Sequence, residues 1–185
     1  MKAIEESGEG LNQISGERIW SEIKKILDQP FNFEFVDIIY RLKLDSHVGF
    51  PAEGFTEDKR NLYRQVSAIS VYAQPMTKIC VFLDSVDQLE LMDNRLKWSK
   101  NEFRQASFLI GQKNLILKNE PLFHLKDENE KIEFYKKLQL RLKNAVLNEK
   151  IASKGEYEWI LQLAILNNEN KDIIDIIKSN YYYTV

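Results

Sequence analysis

Between Lys78 and Asp84 runs Ile79-Cys80-Val81-Phe82-Leu83, five apolar residues in succession. No other stretch narrows the choice of fold as much. The run is short, apolar and partly β-branched, which favours a strand. Upstream, Val66-Ser67-Ala68-Ile69-Ser70-Val71-Tyr72 is β-branched too, although Thr56 to Arg64 before it reads as the start of a helix. Pro75 separates the two stretches. Together they predict a small sheet around Ile69 to Leu83.

The flanking sequence has helical spacing instead. Ser15 is placed to cap a helix through Leu27, with Ile19, Trp20, Ile23, Ile26 and Leu27 as its apolar stripe and Pro30 beyond its end. Ser99-Lys100-Asn101-Glu102 has the spacing of a capping box. Phe103, Ala106, Ser107 and Ile110 then line one face of a helix ended by Gly111, and Leu115-Ile116-Leu117 reads as a strand. In the last third, Asp127 to Glu130 opens a helix with Ile132, Tyr135, Leu138, Leu142, Ala145 and Val146 inward. Ser153 to Glu156 opens another, with Trp159, Ile160, Leu163 and Leu166 inward, and a last helix holds Ile173, Ile174, Ile176 and Ile177. The expected fold class is α+β: N-terminal helices, a small β-sheet in the middle and a helical C-terminal third. The expected organisation is a flexible N-terminal tail over 1–14, a core domain over 15–126 and a helical segment over 127–185 packed on it.

The stretch FNFEFVDIIYRLKLD, Phe31 to Asp45, carries both periods. In twos, Phe31, Phe33 and Phe35 alternate with Asn32 and Glu34. In threes and fours, Phe35, Ile38, Ile39 and Leu42 share one stripe. Pro30 and that stripe favour an extended Phe31 to Phe33 leading into a helix of about ten residues.

Composition excludes more than it assigns. With 44% hydrophobic and 29% charged residues the chain is an ordinary globular sequence, and a net charge of -2 makes no strong case for nucleic acid as a partner. Cys80 is the only cysteine, which excludes an internal disulfide and a cysteine-based zinc site. Met1 to Gly10 lacks the apolar core of a signal peptide, and no apolar run is long enough to span a bilayer. Cytoplasmic residence, without membrane insertion, is expected.

Residues able to carry chemistry are sparse. His47 and His124 have neither HxH nor HExxH spacing, and read as a surface and a partly packed histidine. Asp84, Asp87, Glu90 and Asp93 follow the apolar run, with Lys97 and Lys100 near. Acids at a strand end can hold a divalent ion for phosphoryl transfer, but a solvated turn explains the same pattern. Gly49-Phe50-Pro51-Ala52-Glu53-Gly54 matches neither phosphate-binding glycine order. Phe50, Phe55, Tyr181, Tyr182 and Tyr183 are aromatics that either pack inward or meet a partner. No catalytic residue, metal ligand or cofactor is expected.

Trp20 to Leu44, WSEIKKILDQPFNFEFVDIIYRLKL, resembles the opening signature of the TssG family of baseplate wedge proteins of type VI secretion and related contractile injection systems. A short helix is followed by Pro30-Phe31-Asn32-Phe33-Glu34-Phe35 and an apolar stretch ending in Arg41-Leu42. Val48-Gly49, Leu62-Tyr63-Arg64-Gln65, Val66 to Ser70 and Lys78 to Leu83 fit the segments that follow, so the resemblance covers about residues 20–84. It implies a non-enzymatic structural component, bridging a TssF-like wedge partner and a TssK-like adaptor in a hetero-oligomer without nucleic acid. Phe31, Phe33, Phe35, Arg41, Phe50, Phe55, Tyr181, Tyr182 and Tyr183 would be its partner-binding residues. The alternatives are an immunity protein that binds a toxin by charge complementarity, and a metal-dependent phosphoryl-transfer enzyme using Asp84, Asp87 and Glu90.

Overall fold

A computed structural model describes residues 8–69, 72–119, 127–137, 158–167, 169 and 171–182, with backbone alone at 114–119, 173 and 180–182. Every regular element among them is helical. A 3-10 helix, Gly8–Gln13, lies within the segment expected to be a loose tail. It is followed by α1 (Gly16–Leu27), α2 (Asn32–Arg41), the single turn α3 (Asp45–Val48) and α4 (Glu57–Ala68). Next come α5 (Pro75–Cys80), α6 (Val86–Leu96), α7 (Lys100–Asn119), α8 (128–137), α9 (Glu158–Leu166) and α10 (Lys171–Tyr182).

The expected sheet is absent from the described residues, and the α+β assignment gives way to an all-helical architecture. Pro75 starts a helix rather than breaking a strand: it occupies the first turn of α5, where its missing N–H costs nothing. Ile79 and Cys80 end that helix, and Val81 to Leu83 continue as a tight turn; all five side chains are fully buried. A run that is apolar on every side fits a buried helix as well as a buried strand, and periodicity alone does not separate them. Leu115 to Leu117 are likewise helical, because α7 passes through Gly111 to Asn119. An interior glycine weakens a helix by about 1 kcal/mol without stopping it.

The packing centres on α5. Helices α1, α4, α7 and α9 all contact it, and α6 and α10 complete the surround through α7 and α9. Lys78, on α5, is itself fully buried and donates from Nζ to the carbonyl of Leu27 at 2.5 Å. It thereby satisfies one of the free carbonyls at the end of α1, and burial holds its pKa below the ordinary lysine value against the opposing charge of Asp28. Gln162 on α9 is a second buried connector. Its Oε1 accepts from Gln74 N at 3.0 Å and Thr77 Oγ1 at 2.6 Å, and its Nε2 donates to Tyr72 O at 2.8 Å. In the last third, Glu169 accepts from Tyr135 Oη and Lys131 Nζ, both at 3.0 Å, which ties α8 to the turn before α10. Leu138, Leu142, Ala145, Val146 and Ser153 to Glu156 lie outside the described residues.

Two junctions hold the N-terminal half to this centre. In the first, the capping box forms as its spacing predicts: Ser99 N donates to Glu102 Oε2 at 2.8 Å and Glu102 N to Ser99 Oγ at 3.3 Å. Glu102 Oε1 also accepts from Trp20 Nε1 and Lys24 Nζ, both at 2.9 Å, so the carboxylate that caps α7 also anchors α1. Burial alone pushes the Glu102 pKa up, but the donors of Lys24, Ser99 and Trp20 outweigh it and bring it down to about 2. In the second junction, Gly16 starts α1 directly against the end of α6. A Cβ there would stand 1.9 Å from the carbonyl oxygen of Arg95.

Two outcomes follow. Gly16→Ala must push α1 off α6 and should cost roughly 1–3 kcal/mol, read as a lower thermal midpoint. Glu102 has a depressed folded-state pKa, so its contribution is present above the ordinary carboxyl value of 4.5 and is lost as pH falls towards 2. Glu102→Gln should therefore lose about 2 kcal/mol in urea unfolding at pH 7 and flatten the acid limb of the stability profile between those values.

Candidate functional site

Helix α2 starts at Asn32, so Phe33, expected in an extended arm, is helical and Phe31 is the residue that precedes the helix. Asn32 is buried and holds the entry: its Nδ2 donates to Gln29 O at 2.7 Å, and its Oδ1 accepts from Ser67 Oγ at 2.7 Å. Alternating positions on a helix point to opposite sides. Phe33 accordingly turns to α4 and packs on Tyr63, with centroids 6.2 Å apart, while Phe31 is 56% exposed.

Phe82, from the buried run, is the hub of an aromatic cluster. Tyr63, Phe50, Phe55 and Tyr40 lie around it at centroid distances of 5.0, 5.8, 5.9 and 6.1 Å. Tyr40 stacks on Phe55 at 4.7 Å and 7°, and its hydroxyl donates to Pro51 O at 3.1 Å. A Cβ at Gly54 would meet that hydroxyl at 2.6 Å, so glycine lets the loop close over the ring. The cluster runs from the core to the surface: Phe50 and Phe82 are buried, whereas Phe33 and Phe55 are half-buried.

Arginines cover the outer rings. Arg60, on α4, places its guanidinium 5.0 Å from the Phe55 centroid, and Arg64, one turn on, places its own 4.5 Å from Phe33. Like charges four residues apart on a helix repel by about 0.2–0.5 kcal/mol, and contact with the ring faces offsets that cost. Asp37 on α2 lies 2.7 Å from Arg60 and 3.8 Å from Arg41. Among the described residues Asp37 Oδ1 and Arg60 Nε make no hydrogen bond, so the 2.7 Å contact, through Arg60 Nη2, is an ion pair alone. The side chain of Arg41 is 61% exposed and Arg64 is exposed. The arrangement presents planar guanidinium donors at fixed positions over flat rings. It is suited to phosphate groups and to stacked bases.

Of the expected partner-binding residues, the structure brings Phe33, Phe55 and Arg41 to this face, while Phe31 is exposed and Phe35 half-buried against the core. Phe50 is 3% exposed and belongs to the core. Tyr181 and Tyr182 end α10, and Tyr183 lies outside the described residues. Arg60 and Arg64 were not singled out by the sequence, although an i,i+4 arginine pair beside aromatics is a legible signal.

The acidic set does not converge. Asp84 pairs with Lys59 at 2.5 Å, Asp87 and Glu90 are exposed on α6, and Asp93 Oδ1 accepts from Trp98 N. Lys59 and Lys113 also donate to the carbonyls of Phe82 and Leu83, tying down the turn after the buried run. Among the described residues no group of three or more His, Cys, Asp or Glu is placed to hold a metal ion. His47, on α3, contacts Asn12 at 3.2 Å; His124 lies outside the described residues.

No family model matches the sequence. Individual relatives do. The chain is 34% identical over 126 residues to the mitochondrial CCA tRNA nucleotidyltransferase 1 of Mus musculus, a match covering 66% of the chain and 29% of the relative. With the Danio rerio and Homo sapiens proteins of the same name it shares 32% and 31% identity over 118 residues, 64% of the chain and 27% of each relative. The chain thus spans little more than a quarter of the relatives it matches. These matches overturn the TssG-like reading, and with it the baseplate, the TssF-like and TssK-like partners, the exclusion of nucleic acid and the non-enzymatic assignment, because the relatives are enzymes named for tRNA. The physical reason is plain in the fold. The resemblance took Val66 to Ser70 and Lys78 to Leu83 as strands, but residues 66–68 close α4 and 78–80 close α5. What remains of it, a short helix, a proline and an aromatic amphipathic helix, is common to many helical proteins.

The hub and the platform should separate under mutation. Phe82→Ala leaves a large cavity among four rings and should cost about 3–5 kcal/mol in chemical denaturation. Arg64→Ala, which removes an exposed group, should cost under about 1 kcal/mol.

Proposed function

We propose that this chain is a helical, RNA-holding part of a tRNA nucleotidyltransferase, binding its substrate through the basic and aromatic face of α2 and α4. The observation that carries the reading is Arg60 and Arg64, one turn apart and each set on an aromatic ring, in a chain whose relatives are named for tRNA. Nucleotidyl transfer is a phosphoryl transfer, the chemistry of the metal-dependent alternative that the sequence suggests, and such reactions commonly use metal ions held by carboxylates. The described acids are dispersed or paired with lysines, so we assign those ligands to the parts of such an enzyme beyond the matched quarter. In this reading the chain's own residues bind and orient: Arg41, Arg60 and Arg64 meet phosphates, and Phe33 and Phe55 hold the guanidinium planes in place.

The overall charge of -2 does not oppose this. Phosphate recognition depends on the local density of Arg and Lys rather than on the total. No described helix is long and apolar enough to cross a membrane. The relatives are mitochondrial by name; for this chain we retain the cytoplasm, with which a single buried thiol is compatible.

The test is fluorescence anisotropy with a labelled tRNA transcript across a salt series. The chain should bind, with affinity falling as salt rises. Arg60→Ala/Arg64→Ala should weaken binding by about ten-fold or more and make the log–log salt slope shallower by about two. A chain that fails to bind tRNA even at low salt would overturn the reading.

A further inference from the structure

Two lysines occupy backbone conformations that glycine normally fills. Lys43 has φ 55° and Lys97 has φ 56°, the only positive values at non-glycine residues among those described. Both sit immediately past a helix. After α2, Leu44 N donates to Ile39 O at 2.9 Å and Lys43 N to Tyr40 O at 3.2 Å, the paired bonds of a Schellman motif with lysine at its left-handed position. After α6, Lys97 N donates to Asp93 O at 2.7 Å, the single bond of the simpler left-handed cap. The end of α3 shows the ordinary solution, with Gly49 at φ 83°. An L side chain in this region crowds the following carbonyl, and lysine has no short polar group to bond locally in compensation.

Neither lysine uses its side chain within the described fold. Both are exposed, and among the described residues neither ammonium group has a hydrogen-bond or ion-pair partner. A cation near a helix C-terminus gains from the dipole, so a purely structural role makes a definite prediction: replacement by glycine should not raise stability. Each position is tied to α3, Lys43 along the chain and Lys97 through Arg95. Lys43 stands two residues before α3. Lys97 stands two residues after Arg95, whose Nε donates to His47 O of α3 at 2.9 Å and whose terminal nitrogens reach Leu11 O and Ile14 O. Lys43 also follows the exposed Arg41 by two residues.

We propose that Lys43 and Lys97 are phosphate-contacting residues, kept in left-handed positions because each turn projects a free ammonium group toward bound RNA. The proposal rests on the RNA-holding reading above and extends its surface to the ends of α2 and α6.

The experiment compares Lys43→Gly, Lys97→Gly and the double variant with the unaltered chain and with Arg60→Ala/Arg64→Ala. Each receives a labelled tRNA transcript in a salt series and a thermal melt. Each glycine variant should keep or raise its thermal midpoint while binding tRNA more weakly, with a salt slope shallower by about one, and by about two in the double variant. Lys97→Arg, which keeps the charge, should retain most of the binding. Unchanged affinity and slope in the glycine variants, alongside weakened binding in the arginine variant, would overturn the lysine assignment and leave the RNA reading standing. A fall in thermal midpoint with no change of slope would also overturn it, in favour of the dipole role. Failure of the unaltered chain to bind would overturn both.

Discussion

Five consecutive side chains without solvent exposure, Ile79 to Leu83, set the terms for the rest of this molecule. A run that is apolar on every face cannot lie on a surface, so the chain before and after it must close around it. Placing the run in a short helix and turn, rather than a strand, also satisfies its backbone locally: Phe82 N bonds Ile79 O and Val81 N bonds Lys78 O. No neighbouring strand is then needed, and helices can pack from all sides. The buried Lys78 preceding the run fits the same logic, because its ammonium group completes the end of α1 inside the core.

The core reaches the surface through aromatic rings. Phe82 gathers Tyr40, Phe50, Phe55 and Tyr63, and the outer members of that cluster carry Arg60 and Arg64. A platform backed by a packed core holds cations in place at little entropic cost, which is what recognition of a regularly spaced polyanion requires. The N-terminal 3-10 helix is tied in by the same economy of contacts. One arginine, Arg95, satisfies carbonyls from it, from α3 and from Ile14 in the link to α1.

Legibility in the sequence followed the locality of the interaction. The helix with Ile19, Trp20, Ile23 and Leu27 buried, and the Ser99–Glu102 capping box, were readable because each depends on residues three or four apart. Where a local signal was real but weak, tertiary packing overrode it: Gly111 does not end α7, and β-branched Val66 closes a turn of α4 facing the core. The paired phenylalanines read as an extended arm because a proline before them favours a delayed helix, whereas buried Asn32 starts it at once. The family resemblance failed for a related reason. It matched a pattern of aromatics and apolar residues that many folds share, and it contained no residue whose chemistry only one function needs.

By itself the sequence determined which segments are amphipathic, where several helices start, that Cys80 is alone, and that no described helix is fit to cross a membrane. These depend on spacing and composition within a few residues. Only the tertiary structure decided that Ile79 to Leu83 is a helical plug, that Phe50 is core while Phe33 and Phe55 form a platform, and that Asp84 is taken up by Lys59. Only it placed lysines in left-handed turns at the ends of α2 and α6. Each of these depends on which residues meet across the chain, and a fully apolar run or a lone charge has no local property that names its partner.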